Sequence, residues 1–288
     1  MKKFFALLLA LMMSLSLVAC GGNDAAEEAP AEDAAVEDTA VEETPESDAA
    51  YIEGNGKLVV GITIYEPMNY YDDAGNLIGF DTEFAQAVCD KLGLEAEFQE
   101  INWDTKEIEL AGKTIDCIWN GMTITPDRAA NMSISLPYVK NAQVIVVKAD
   151  SAYASTADLV DATLVAEMGS AGEAQIEGED ANADLAQAEY VGMNKQTDCL
   201  MEVKAGTADA AVLDWTLAKS MVGEGTDFAD LKMIEGVELA TEEYGIAFRK
   251  GSDVTETVNG AIAELVADGT LPALAESYGL SLAPAIAG

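Results

Sequence analysis

From residue 57 to residue 280, short apolar runs and amphipathic stretches take turns, and few folds accommodate that rhythm. KLVVGI (57–62), EAEFQEI (95–101), TIDCIW (114–119), AQVIVVK (142–148), ATLVAE (162–167), DAAVL (209–213) and YGIAFRKG (244–251) read as strands. Helix patterns lie between them. GFDTEFAQAVCDKLG (79–93) reads as a helix capped by Asp81 and closed by Gly93, with Phe84, Val88 and Leu92 on one face. Asp104 to Ala111 forms a short helix. Thr125 and Pro126 are a cap followed by a residue suited to the first helical position. Further helices are expected at 169–177, at 194–206 under Asn194, at 214–222, at 252–269 under Ser252, and at 270–279. This alternation predicts an α/β fold with largely parallel sheets. It leaves open one doubly wound domain or two.

The N-terminus belongs to a different regime. Lys2 and Lys3 precede an apolar run of about fifteen residues, shorter than the about 20 needed to span a bilayer, which suits a secretory leader over 1–20. The run ends LVAC, which resembles the bacterial lipobox, so Cys20 is expected to carry lipid and hold the chain on the outer face of the cell membrane. Several acyl chains on one residue anchor stably where one is marginal. The alternative is an ordinary signal peptide cut nearby. Residues 21–50 hold eleven acids, no bases and no aromatic residue, too little apolar surface to offset ordering. They read as a disordered acidic tether.

Charge narrows the partners. Setting aside the tether's eleven acids and the leader's two lysines leaves 41 acids and 13 bases, a net charge of −28. Such a surface argues against nucleic acid, whose phosphates need cations. The chain contains no histidine, which excludes histidine-based catalysis and metal ligation. Cys89, Cys117 and Cys199 have no CxxC spacing, and the first two sit in apolar contexts that favour buried thiols over a disulfide. No cofactor is implied. Only two arginines, Arg128 and Arg249, face the 52 acids, and Arg128 follows an apolar strand and a Gly-Met-Thr turn.

Three segments carry a likeness over nearly all of 57–280. YEPMNYYDDAGNLIGFDTEFAQAV (65–88), NGMTITPDRAANMSISLPY (120–138) and the C-terminal EYGIAFRKGS with AIAELVADGTLPALAESYG resemble the bacterial extracellular solute-binding proteins of family 3. The resemblance implies a two-lobed, type II periplasmic-binding fold, with lobe one from 51–140 and 241–288 and lobe two from 141–240. It implies capture of a free amino acid in the cleft, hinge closure, and delivery to an ABC permease by a monomer. Position by position, Arg128 matches the arginine that clamps the α-carboxylate, for which a planar guanidinium is suited. Gly121, Met122 and Thr123 match the turn beside it. Ser170 and Ala171 match a helix start that offers backbone N–H groups, although Ala171 stands where threonine is common. Asp214 matches the carboxylate that holds the α-ammonium. Tyr65 and Trp103 match the rings that sandwich the ligand side chain, Met68 stands where an aromatic wall residue is commoner, and Asn120 matches the reader of its distal group.

Ile62 occupies a position that is acidic in some binders of basic amino acids, which argues against lysine, arginine or histidine; a glutamine-like neutral polar ligand is the first expectation, with glutamate, cystine or another polar amino acid open. Trp119 and Trp215 each neighbour a site position and are read as core or cleft rim, because neighbours along a strand point to opposite faces. No enzymatic activity is expected. The rival readings are a cyclohexadienyl or arogenate dehydratase on the same fold, which needs a general acid beyond Asp214 that the matched positions do not supply, and a sensory module without transport.

Overall fold

The computed structural model describes residues 47–179 and 181–287. The expected leader, the lipidation at Cys20 and the tether as far as residue 46 lie outside the described residues. The tether was expected to reach residue 50, but helix α1 (Asp48–Asn55) already begins inside that range, with Ser47 accepting from the Ala50 N–H as its cap.

The first half follows as β1 (Lys57–Ile62), a small hairpin of β2 (Tyr70–Tyr71) and β3 (Leu77–Ile78), α2 (Phe80–Leu92), β4 (Glu95–Glu100), α3 (Lys106–Ala111), β5 (Cys117–Ile118), α4 (Pro126–Asn131) and β6 (Ser133–Ile134). The chain then runs through β7 (Val139–Lys148), β8 (Thr163–Glu167), α5 (Ala171–Glu177), β9 (Glu189–Met193), α6 (Gln196–Ala205), β10 (Ala210–Asp214), α7 (Trp215–Met221) and β11 (Leu231–Tyr244). It closes with β12 (Ala247–Phe248), α8 (Val254–Ala267) and α9 (Thr270–Ser277).

Two five-stranded sheets result, ordered β4-β1-β5-β12-β6 and β11-β7-β10-β8-β9. They are mixed, which corrects the largely parallel expectation. Sheet one pairs β1 in parallel with β4 and β5, while β12 returns antiparallel to β5 and β6. Sheet two pairs β8 in parallel with β10 and β9, while β7 runs antiparallel to β10 and β11. The physical reason is the double passage. β7 carries the chain into sheet two and β11 brings it back beside β7, with Lys140 opposite Glu243 and Val139 opposite Tyr244. Two strands that leave and return side by side must be antiparallel.

Alternation along the strands divides the core. In β7, Val144 and Val146 join one apolar cluster and Ile145 and Val147 the other. In sheet one, Cys117 and Trp119 face the α2 side, while Ile118 faces Leu110, Ile115 and Met122. Trp119 is thereby settled as core, fully buried and edge-on to Phe84 at 4.9 Å between ring centroids, a geometry worth about 1 kcal/mol beyond the area it buries. Trp215 is half-buried at the edge of that cluster, under the Lys219 ammonium. Cys89, Cys117 and Cys199 are free, buried thiols.

Three expected caps move by a residue or two. α2 starts after Gly79, α6 after Lys195 and α8 after Asp253, so Asp81, Asn194 and Ser252 are not caps. α4 keeps Thr125, whose hydroxyl oxygen accepts from the Arg128 N–H at 3.2 Å.

Candidate functional site

A small cavity lies where the two halves meet, lined by Tyr65, Trp103, Asn120, Gly121, Thr123, Arg128, Glu167, Ser170, Ala171, Gln196 and Asp214.

Arg128 is placed by α4, the helix that Thr125 and Pro126 start. Its side chain is buried, and its Nη1 and Nη2 donate to the carbonyls of Thr123 (2.8 Å) and Gly169 (3.0 Å). Among the described residues it has no ion pair. Burial holds its pKa below the usual arginine value, with Glu242 the leading group acting in the other direction. Lys106, buried beside it, donates to the carbonyls of Trp103 (3.0 Å) and Gly169 (2.9 Å), and burial, then Arg128, lowers its pKa to about 8. One carbonyl from sheet two's half therefore receives two cations from sheet one's half.

The Gly121 turn is held from below. Gly121 sits at φ 57°, and a Cβ there would lie 2.7 Å from the Tyr65 ring, so only glycine fits. Its N–H donates to the Asp81 carboxylate at 2.7 Å, and the Tyr138 hydroxyl donates to the same oxygen at 2.9 Å. This is the work of Asp81, within α2 rather than at its cap. Burial raises the Asp81 pKa to about 7, opposed by Gly121, Tyr138 and the Trp119 indole. The indole acts without hydrogen-bond geometry, since Trp119 Nε1 and Asp81 Oδ1 both lack a partner.

Asn120 lines the cavity with its amide already spent. Nδ2 donates to Thr63 O (2.9 Å) and Asn69 Oδ1 (2.7 Å), and Oδ1 accepts from the Thr63 hydroxyl (2.7 Å). Only acceptor capacity on Oδ1 is left. Tyr65 is buried with its hydroxyl tied to Thr216 and Tyr244. Trp103 is buried under the Lys106 ammonium at 4.9 Å. From the other half, Ser170 caps α5 by accepting from the Glu173 N–H, and Ala171 opens that helix.

Asp214 ends β10 and precedes α7 without a side-chain cap bond. Its Oδ1 accepts from Asn141 (2.6 Å) and Gln143 (2.7 Å), and its Oδ2 from Gln196. The same two amides also donate to Glu242 Oε1, at 2.5 and 2.8 Å. Two carboxylates thus stand against one pair of donors. Burial raises both pKa values, that of Glu242 to about 7, with Asp214 the second cause there.

The structure departs from the expected positions at several places. Met68 is fully buried in a core cluster and does not line the cavity, because its side chain faces the apolar side of its turn; the Met122 side chain is core as well, and the expectation there concerned its backbone. Ile62 is likewise core, so its apolarity carries no information about the ligand. Glu167 and Gln196 line the cavity and were missed, Glu167 because it closes the apolar run ATLVAE, where a charged residue reads as the solvent end, and Gln196 because it opens a helix. Glu167 also corrects the statement that the site holds no carboxylate beyond Asp214.

The fold and this cleft define a class: a two-lobed, type II solute-binding protein. The chain belongs to the bacterial extracellular solute-binding proteins, family 3, whose model matches residues 58–281. The arginine-binding extracellular protein ArtP of Bacillus subtilis (strain 168) is 28% identical over 281 residues, covering 96% of this chain and 98% of its own. The L-cystine-binding protein TcyJ of Escherichia coli (strain K12) is 31% identical over 231 residues, covering 79% and 84%. A crystal structure of the ancestral amino acid-binding protein AncCDT-1, a precursor of cyclohexadienyl dehydratase, matches with a TM-score of 0.71 at 30% identity, over 81% of this chain and 99% of that one.

Proposed function

We propose that this protein captures a free amino acid by its two α-groups and hands it to an ABC permease at the outer face of the membrane, tethered through Cys20. One observation carries the reading. Arg128 and Asp214, from opposite halves, line the same small cavity, and Arg128 has no carboxylate partner among the described residues. The α-carboxylate meets the spare N–H groups of Arg128 beside Thr123 and the α5 start, and the α-ammonium meets Asp214. Tyr65 and Trp103 supply flat walls. The lobes swing about the β7 and β11 crossovers, and closing strengthens both charge contacts by excluding water. Relatives named for binding arginine and cystine support the amino-acid class and leave the side chain open.

A thermal-shift panel of amino acids tests this. Ligand at 100 times its Kd should add about 2.7 kcal/mol and raise Tm, and a panel with no response overturns the reading. The dehydratase reading gains one observation, the Glu167 carboxyl, whose pKa is pushed to about 8 by burial and Asp214 and so suits a general acid. Turnover of arogenate or prephenate by the purified protein would decide for it.

A further inference from the structure

Glu167 is a buried carboxylate at the end of β8, 3% exposed, in the wall of the cavity. Its carboxylate makes no hydrogen bond among the described residues, and Oε1 is completely enclosed. No cation of the described residues lies within 4 Å of it: the Lys106 ammonium is pinned to two carbonyls, and Lys195 pairs with Glu100 at 3.7 Å. A lone buried acid costs several kcal/mol in either state, through desolvation when charged or an unmet donor when neutral. Nothing in the fold requires its side chain there, because the cap of α5 and the turn at Gly169 use the side chains of Ser170 and Glu173, and the pairing of β8 uses backbone alone.

The rest of the wall points the same way. Asn120 has both amide hydrogens bonded inside the first half and can only accept. Gln196 gives its amide to Asp214 and receives the Asp214 N–H at 3.0 Å. Once Arg128 and Asp214 are assigned to the α-groups, what remains is acceptor-rich: the Glu167 carboxylate, the spare lone pair of Asn120, and the face of Trp103. Such a wall fits a ligand end that carries several N–H donors and a positive charge, flat enough to lie on an aromatic ring.

We propose that Glu167 sets specificity for a basic amino acid, taking the guanidinium or ammonium of its side chain as the counter-ion. The inference rests on the α-group reading above. It replaces glutamine as the expected ligand.

The test is calorimetry on the wild-type protein with L-arginine, L-lysine, L-citrulline and L-glutamine, repeated on Glu167→Gln. Citrulline has nearly the shape of arginine without the charge, so this comparison needs no variant to fold. The wild type should prefer a basic ligand over citrulline by about 100-fold or more, the scale of a desolvated charge pair. Glu167→Gln should keep its fold and lose most of that preference by weakening the basic ligand. Equal binding of arginine and citrulline, or a preference unchanged in Glu167→Gln, overturns the assignment. Binding of neutral amino acids alone overturns it while leaving capture by the α-groups standing; no binding by any amino acid overturns both.

Discussion

The two arginines occupy opposite kinds of place. Arg249, following β12, gives Nε to Asp48 at 2.9 Å and Nη2 to Asp116 at 3.1 Å, and Nη1 to the carbonyls of Leu110 and Ile115. Every direction of its fork ends inside the protein, so it ties α1 and β5 to the body. Arg128 is more deeply buried, yet its bonds end on two carbonyls and none on a carboxylate. A guanidinium fully paired at home is a brace. One desolvated without a carboxylate partner suits the role proposed for Arg128, to meet the α-carboxylate of a ligand.

Alanine at each position pulls the two roles apart. Arg128→Ala should weaken amino-acid binding by about 1000-fold or more, with stability within about 1 kcal/mol of wild type, because it removes a buried charge that has no ion partner. Calorimetry and a denaturant melt check the two halves, and unchanged affinity would end the comparison. Arg249→Ala should do the reverse. Removing it strands Asp116 and frees Asp48, at a cost of about 3 kcal/mol seen in the melt, while the affinity of the folded protein stays the same.

The smallest effect sharpens the picture around Arg128. Glu167 faces Asp214 from β10, Lys106 from α3, and Lys195 and Asp198 at the start of α6; burial, then Asp214, lifts its pKa to about 8. A basic ligand stabilises the ionised form, so it lowers that pKa, and binding below pH 8 expels a proton. Affinity therefore rises with pH, by at most tenfold per unit, and levels off above about 8. Titrations in buffers of different ionisation enthalpy measure the proton directly; zero release for a basic ligand at pH 7 would contradict it.

Much of this was legible in the residues. Short apolar runs fixed most strands of both sheets, and Thr125-Pro126 fixed the helix that carries Arg128. What escaped has identifiable causes. β11 is rich in acids and contains Gly236, and it pairs with β7 through two register shifts, so no clean alternation marks it. Met68, Met122 and Ile62 follow the motif in sequence, but pleat and turn geometry aim them at the core. Glu167 ends an apolar strand, where one charged residue reads as the solvent end. That it ends in an enclosed cavity depends on the second half folding over it, which no local pattern records.

The brace at Arg249 has a mechanical consequence. Ser47 donates to Asp253 ahead of α8, the Ala49 N–H bonds the same carboxylate, and Asp48 is gripped by Arg249. The upstream chain thus enters on the half that contains sheet one. A pull applied at Ser47 is taken up by α1, β5 and β12, and the half bearing Glu167 and Asp214 hangs free of that load. The mooring proposed at Cys20 would therefore load one half alone and leave the jaws free to open and close.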